Sequence, residues 1–395
     1  MILKGTKTST KLMMLQFVYY VSLATLYSYT VNILTDMGYG AFWAGILRTS
    51  MAAAAILSQA FRGYIADTFI PVKKLIIAML SASAILSIFL LPKIALMGNP
   101  LYFVIAVTIV SFLDYTNSVD LDVWAVSLIE SEKSGDFGYV RSGGSAGYAL
   151  ASLVFGFVIV RFGTGILYDC HAAFLLLTVI IAFSIKGIPC KNSKKENVDT
   201  ILMTSAIGLL IKNRKFVHIV FAASLMFFAM GPVSSFLYLY IVQAGGDSSH
   251  LGIAWVIASV AQIISMSISS KFIRRGVSAP VVLCVALILG SVRAFTLYFP
   301  TGIWIIIILM VFHGFSYGGF TRVYTEYVSG IVPKNIVTTA TTLGSAFAIG
   351  VGGMSGSLVG SFMIDFAGLN NYALLCGFIY ILSMFVMWPD VRKGL

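Results

Sequence analysis

Residues 137–160 read FGYVRSGGSAGYALASLVFGFVIV, 24 residues whose only charge is Arg141. A run of that length crosses the ~30 Å hydrocarbon core of a bilayer as a helix. Glycine and other small residues recur through it, and these let a second helix approach closely. An arginine inside such a segment costs at least ~2.5–3.5 kcal/mol, so it is expected to face inward and to meet a partner. The stretch therefore asks for a bundle of helices with a carboxylate at matching depth.

The rest of the 395-residue chain has the same character, with 59% apolar and 10% charged residues, a balance no soluble domain of this length shows. Long apolar runs predict an all-α membrane protein with 12 transmembrane helices. The spans of the first half are 12–34, 41–62, 73–93, 101–129, 140–161 and 168–186. Those of the second are 216–243, 250–271, 278–298, 302–328, 337–363 and 370–388.

Of the 26 Lys and Arg, about 20 fall at the termini and in the loops on the same side, among them Lys11, Arg62, Lys73, Lys74, Lys194, Lys271, Arg274 and Lys334. The opposite loops offer only Lys93 and Arg161. This asymmetry predicts that both termini are cytoplasmic. It also accounts for the net charge of +11 without nucleic acid. The apolar run from Leu12 to Leu34 is too long for a signal peptide and lacks a small-residue cleavage site. Four cysteines stand singly, so neither a disulfide framework nor a metal site is indicated. No HExxH, GxSxG or Walker loop is present, and neither enzyme activity nor a cofactor is expected.

The longest polar interruption, residues 187–215, divides the chain into bundles of six spans, 1–186 and 216–395. It reads as a cytoplasmic linker, with 201–210 either an interfacial helix or part of the tether. Gly144-Ser145-Ala146 recurs as Gly344-Ser345-Ala346, 200 positions later, and Gly156 is matched by Gly356. Equal span counts and this echo predict a duplication with pseudo-two-fold symmetry. Two such bundles around a central cavity can rock, exposing it to one side and then the other.

The fourth span, LDYTNSVDLDVWAV, carries Asp114, Asp120 and Asp122. At ~100° per residue, Asp120 and Asp122 point roughly 200° apart, so a regular helix aims only one of them at the cavity. Asp114, Ser118 and Asp122 fall along one stripe. The next turn centres near Lys133, and Asp122 and Arg141 stand similar distances back from it. With ~1.5 Å rise per residue they reach one depth in antiparallel helices, where each can neutralise the other. His171 lies near a helix start, His218 and His250 at boundaries, and none forms a cluster in sequence. Arg48 either faces the cavity and takes an anionic group or snorkels outward.

Three segments resemble the major facilitator superfamily, in its branch of proton-linked oligosaccharide and nucleoside symporters, the lactose-permease-like proteins. RGYIADTFIPVKK is similar to the loop after the second helix, with Gly63, Asp67, Lys73 and Lys74 in the family's gating positions. FGYVRSGGSAGYAL looks like the junction of the fourth and fifth helices, and FHGFSYGGF at 312–320 like the tenth. The resemblance implies that Arg141, Asp122, Tyr148 and Gln262 bind substrate. Guanidinium forks and aromatic faces suit a polyhydroxylated ring. The alternative is a structural ion pair and a packed tyrosine.

It further implies that Arg293 and His313 serve proton coupling. Departures at Ser316 and Gln262, where the family has acids, move the expected proton carrier to Asp122, Asp120 or Asp114. Arg322 and Glu326, at i and i+4, read as a structural or gating pair. The expected activity is proton-coupled symport of a sugar, oligosaccharide or nucleoside, by a monomer in the cell membrane that contacts only substrate, protons and lipid. Proton-driven efflux of lipophilic or anionic compounds is the alternative within this architecture. A membrane receptor or sensor is the alternative from another class.

Overall fold

Apolar runs of this length leave the backbone no water to bond with, so the chain satisfies itself by helix formation. The computed structural model describes residues 7–132, 135–187 and 208–392, and among them every regular element is helical. The first half contains α1 (Lys7–Tyr27), α2 (Thr30–Asp36), α3 (Ala41–Thr68), α4 (Val72–Phe89) and α5 (Leu91–Leu96). It continues through α6 (Pro100–Asp114), α7 (Asn117–Glu132), α8 (Phe137–Phe162) and α9 (Ile166–Phe183). The second half holds α10 (Arg214–Ser235), α11 (Leu237–Gln243), α12 (Ser248–Arg274), α13 (Ala279–Thr296) and α14 (Ile303–Ile331). Then come α15 (Val337–Phe347), a π-turn at Ala348–Gly352, α16 (Gly353–Ala367) and α17 (Leu369–Arg392).

Eleven helical stretches among the described residues are long and apolar enough to cross a membrane. The remaining expected span, 12–34, is present as α1 and α2, interrupted at Ser28 and Tyr29. The chain is thus a multi-pass membrane protein with the predicted 12 spans. It divides into two units, Met1–Ser193 with Leu251–Ile253, and Lys194–His250 with Ala254–Leu395. Most of the expected linker, and with it most of the candidate interfacial helix at 201–210, lies outside the described residues.

The glycine-rich stretch that opened the sequence packs α8 onto α1. A methyl added at Gly143 or Gly147 would run into the carbonyl oxygens of Met13 and Phe17, so the two backbones touch where only hydrogen leaves room. In the second unit Gly352 and Gly356 meet the carbonyls of Ser224 and Phe228 on α10 in the same way. Gly344, the tripeptide match to Gly144, faces the Tyr324, Val220 and Phe216 side chains instead. The repeated device is a glycine pair against the first helix of each half. In the second half it lies beyond the matched tripeptide, with Gly352 closing the π-turn.

Helix interruptions free backbone groups that must be bonded again. Tyr19 does so between α6 and α7: its hydroxyl donates to the Asp114 carbonyl at 2.6 Å and accepts from the Ser118 amide at 3.1 Å. Between α1 and α2, Arg48 on α3 donates to the Tyr27 carbonyl at 3.0 Å. At the end of α9, Lys73 donates to the carbonyls of Phe183 at 3.2 Å and Ile185 at 2.5 Å, and Lys11 to that of Ser184 at 3.1 Å. Cations placed there complement the negative end of the helix dipole.

Candidate functional site

The break between α6 and α7 sets the chemistry of the first unit. It ends the stripe expected through Asp114, Ser118 and Asp122, so each of the three carboxylates of the fourth span meets a different neighbour. Asp122 on α7 lies 3.6 Å from Arg141 on α8 and accepts from Gln16 Nε2 on α1 at 2.6 Å. The guanidinium of Arg141 also lies over the Tyr20 ring, 4.7 Å from its centre. The pair predicted by depth is therefore formed, and it is not sealed, with side-chain exposures of 39% and 30%.

Asp120 turns the other way, as its ~200° offset requires, and lies 3.2 Å from Arg62 on α3. Arg62 is wholly buried and also donates to Thr116. This corrects the reading of Arg62 as a loop cation that reports orientation. Nearly two turns before the end of α3, its side chain reaches an acid within the bundle.

Asp114, at the end of α6, is fully enclosed. Its carboxylate accepts from Tyr27 Oη and, at 2.7 Å, from Ser83 Oγ, and contacts His171 Nε2 on α9 at 2.9 Å. His171 Nδ1 in turn lies 2.8 Å from the Ser22 carbonyl. A carbonyl only accepts, so Nδ1 carries a proton. The Nε2 to carboxylate contact then needs a second proton, on one atom or the other. A buried dyad holding one shared proton is neutral, and without that proton it has two acceptors facing each other at net negative charge.

Sequence reasoning passed over His171 because it lies near a helix start and its acid partner, Asp114, stands 57 positions away along the chain. The signal was its presence in an otherwise apolar span, which by itself marks an ionisable residue for function. Gln16, Tyr20, Tyr27 and Ser83 carried no such mark, since uncharged polar residues are common in membrane helices.

Tyr148 lies two turns beyond Arg141 on α8, ~10 Å along the axis, and accepts a hydrogen bond from Ser28 Oγ at 2.9 Å. In the second unit Gln262 is half-buried on α12, its backbone pressed against Gly314 and Gly318 of α14. Arg293 Nη1 approaches His313 Nδ1 at 3.3 Å, and the His313 ring stacks on Tyr317. Arg322 and Glu326 pair at 3.4 Å, and Arg322 also donates to Ser270. Among the gating candidates, Gly63 has open space where a side chain would be, Lys74 is exposed, and Lys73 is taken up by the end of α9. The side chain of Asp67 lies outside the described residues.

The model of the MFS_1-like family matches residues 9–373. An uncharacterized transporter, YwbF of Bacillus subtilis (strain 168), is 25% identical over 276 residues, which cover 66% of this chain and 65% of the relative. The chain thus spans just under two thirds of that protein. The maltose permease of Geobacillus stearothermophilus is 23% identical over 292 residues, 73% of this chain and 71% of the permease. The crystal structure of the nucleoside transporter NupG shares the fold with a TM-score of 0.83 at 17% identity, over 97% of this chain and 99% of that one. These relatives and neighbours are membrane transporters, not enzymes, and the chain belongs to the MFS_1-like family of the major facilitator type.

Proposed function

We propose that the protein carries a small polyhydroxylated solute, a sugar, oligosaccharide or nucleoside, in symport with protons by alternating access. The observation that carries this reading is the Arg141–Asp122 pair, held by Gln16 and Tyr20 and still open to a ligand. Its guanidinium offers a planar donor fork, its carboxylate accepts from hydroxyls, and Tyr20 and Tyr148 supply aromatic faces. The names of its kin, a maltose permease and a nucleoside transporter, agree with such cargo. Gln262 of the second unit is also proposed to contact the solute.

The proton is assigned to Asp114. Asp120 and Asp122 each face an arginine, while Asp114 faces His171, whose Nε2 contact with the carboxylate needs one shared proton. His313 suits the role less, because its Nδ1 faces a guanidinium that only donates. Both termini are placed in the cytoplasm, with the protein a monomer in the cell membrane. The lysines gathered at the end of α9 agree with that orientation.

The test is uptake into proteoliposomes under an imposed proton gradient, with a panel of labelled sugars and nucleosides. At least one solute is expected to accumulate, and an uncoupler is expected to abolish it. Arg141→Ala weakens binding roughly 10- to 100-fold, the ~1.5–3 kcal/mol of hydrogen bonds to a charged group. Asp114→Asn keeps energy-independent exchange and loses gradient-driven accumulation. Accumulation by Asp114→Asn equal to the native protein would remove the proton assignment, and no uptake across the panel would remove the substrate class.

A further inference from the structure

Arg293, near the end of α13, is 2% exposed, and Nε and Nη2 of its guanidinium make no hydrogen bond among the described residues. Its surroundings offer no carboxylate. The second unit has four acids among its described residues, and all lie elsewhere. Asp247 meets His250, Asp390 meets His218, Glu326 meets Arg322, and Asp365 is exposed. The groups around Arg293 are the Tyr240, Tyr372 and Tyr380 hydroxyls, Cys376 and His313. A guanidinium cannot shed its charge as a buried lysine can, and no carboxylate among the described residues of this unit balances it.

Other unsatisfied groups stand close by. Gly290, one turn before Arg293, leaves room for the Tyr380 ring and Ser316 Oγ. The Tyr380 hydroxyl and Ser316 Oγ, both 1% exposed, also lack hydrogen-bond partners. Three donor groups are thus left open in one part of the bundle. A cavity of about 280 Å³ lies at the end of the same helices, lined by Tyr240, Leu297, Thr301, Ile306 and Asn370. Tyr240 belongs both to this cavity and to the ring of tyrosines around Arg293.

We propose that Arg293, Tyr380 and Ser316 form a binding site for a small monovalent anion, reached through the cavity beside Tyr240. Three donors without partners and no acceptor carboxylate beside them select negative charge, and the enclosure selects small size. The anion is either a halide or the carboxylate of a carried solute, and the two share this chemistry. The site is independent of the symport reading, because it rests on the second unit alone and its test measures binding without transport.

The experiment measures the melting temperature of the purified protein as sodium gluconate is replaced by sodium chloride at constant ionic strength. Saturating chloride is expected to raise it by roughly 3 °C, the linkage expected of a ligand at ~100 times its Kd. Bromide does the same and sulfate does not. Formate run in parallel identifies the source: a shift with halides marks a resident ion, and a shift with formate alone marks the carboxylate of cargo. Arg293→Gln abolishes the anion-dependent shift. The combined Ser316→Ala and Tyr380→Phe protein raises the midpoint concentration several-fold, and it carries the test should Arg293→Gln fail to fold. Equal melting in chloride, formate and gluconate overturns the proposal, as does an unchanged shift in Arg293→Gln or an unchanged midpoint in the combined variant.

Discussion

Arg62 and Arg293 are both enclosed, one in each half, with exposures of 0% and 2%, yet their surroundings differ in kind. Arg62 lies 3.2 Å from Asp120, so its charge is balanced within the chain. Arg293 has tyrosines and a histidine around it and no carboxylate. The halves of a duplicated fold have therefore kept the same packing while their electrostatics diverged. The first half carries three acids on one span and spends them on Arg62, His171 and Arg141. Among the described residues of the second half, no acid faces its buried arginine.

The comparison can be broken most sharply at Arg62. Arg62→Gln strands the Asp120 carboxylate, and the expected loss of stability is about 3–5 kcal/mol. It is read as a drop in melting temperature that the added change Asp120→Asn largely restores. A single variant as stable as the native protein would show that the pair is incidental.

Next in size is the shared packing. Gly147→Val and Gly356→Val each force a side chain into a carbonyl of the facing helix, at a cost of about 1–3 kcal/mol. Similar losses in both would sharpen the claim that the halves use one device, and tolerance of either would break it.

The smallest effect distinguishes the two arginines by sign. In a buffer free of small anions, Arg293→Met removes a charge without stranding another. Its stability is expected within about 1 kcal/mol of the native protein's or above it. A loss as large as that of Arg62→Gln would mean that the chain itself supplies a partner for Arg293.

The spans were legible because lipid demands about 20 apolar residues per crossing and leaves no other economical signature. The Arg141–Asp122 pair was legible too, since two residues on consecutive antiparallel helices have their depths set by counting from the turn near Lys133. Asp114 with His171 and Asp120 with Arg62 were not, although all four residues were in view. They join α6 to α9 and α7 to α3, elements that are not consecutive, and no count along the chain relates their depths or facings.

By itself, then, the sequence determined the class of the fold, the number of spans, the duplication and one ion pair, because each follows from length, spacing and the rise of a helix. The partners of Asp114, Asp120 and Arg48, and the isolation of Arg293, were decided only in the tertiary structure. Membrane helices are apolar on most sides, so the pattern of residues scarcely encodes which face meets which neighbour. That choice is made by close packing at glycines and by the satisfaction of backbone groups at helix breaks, and both exist only once the helices have come together.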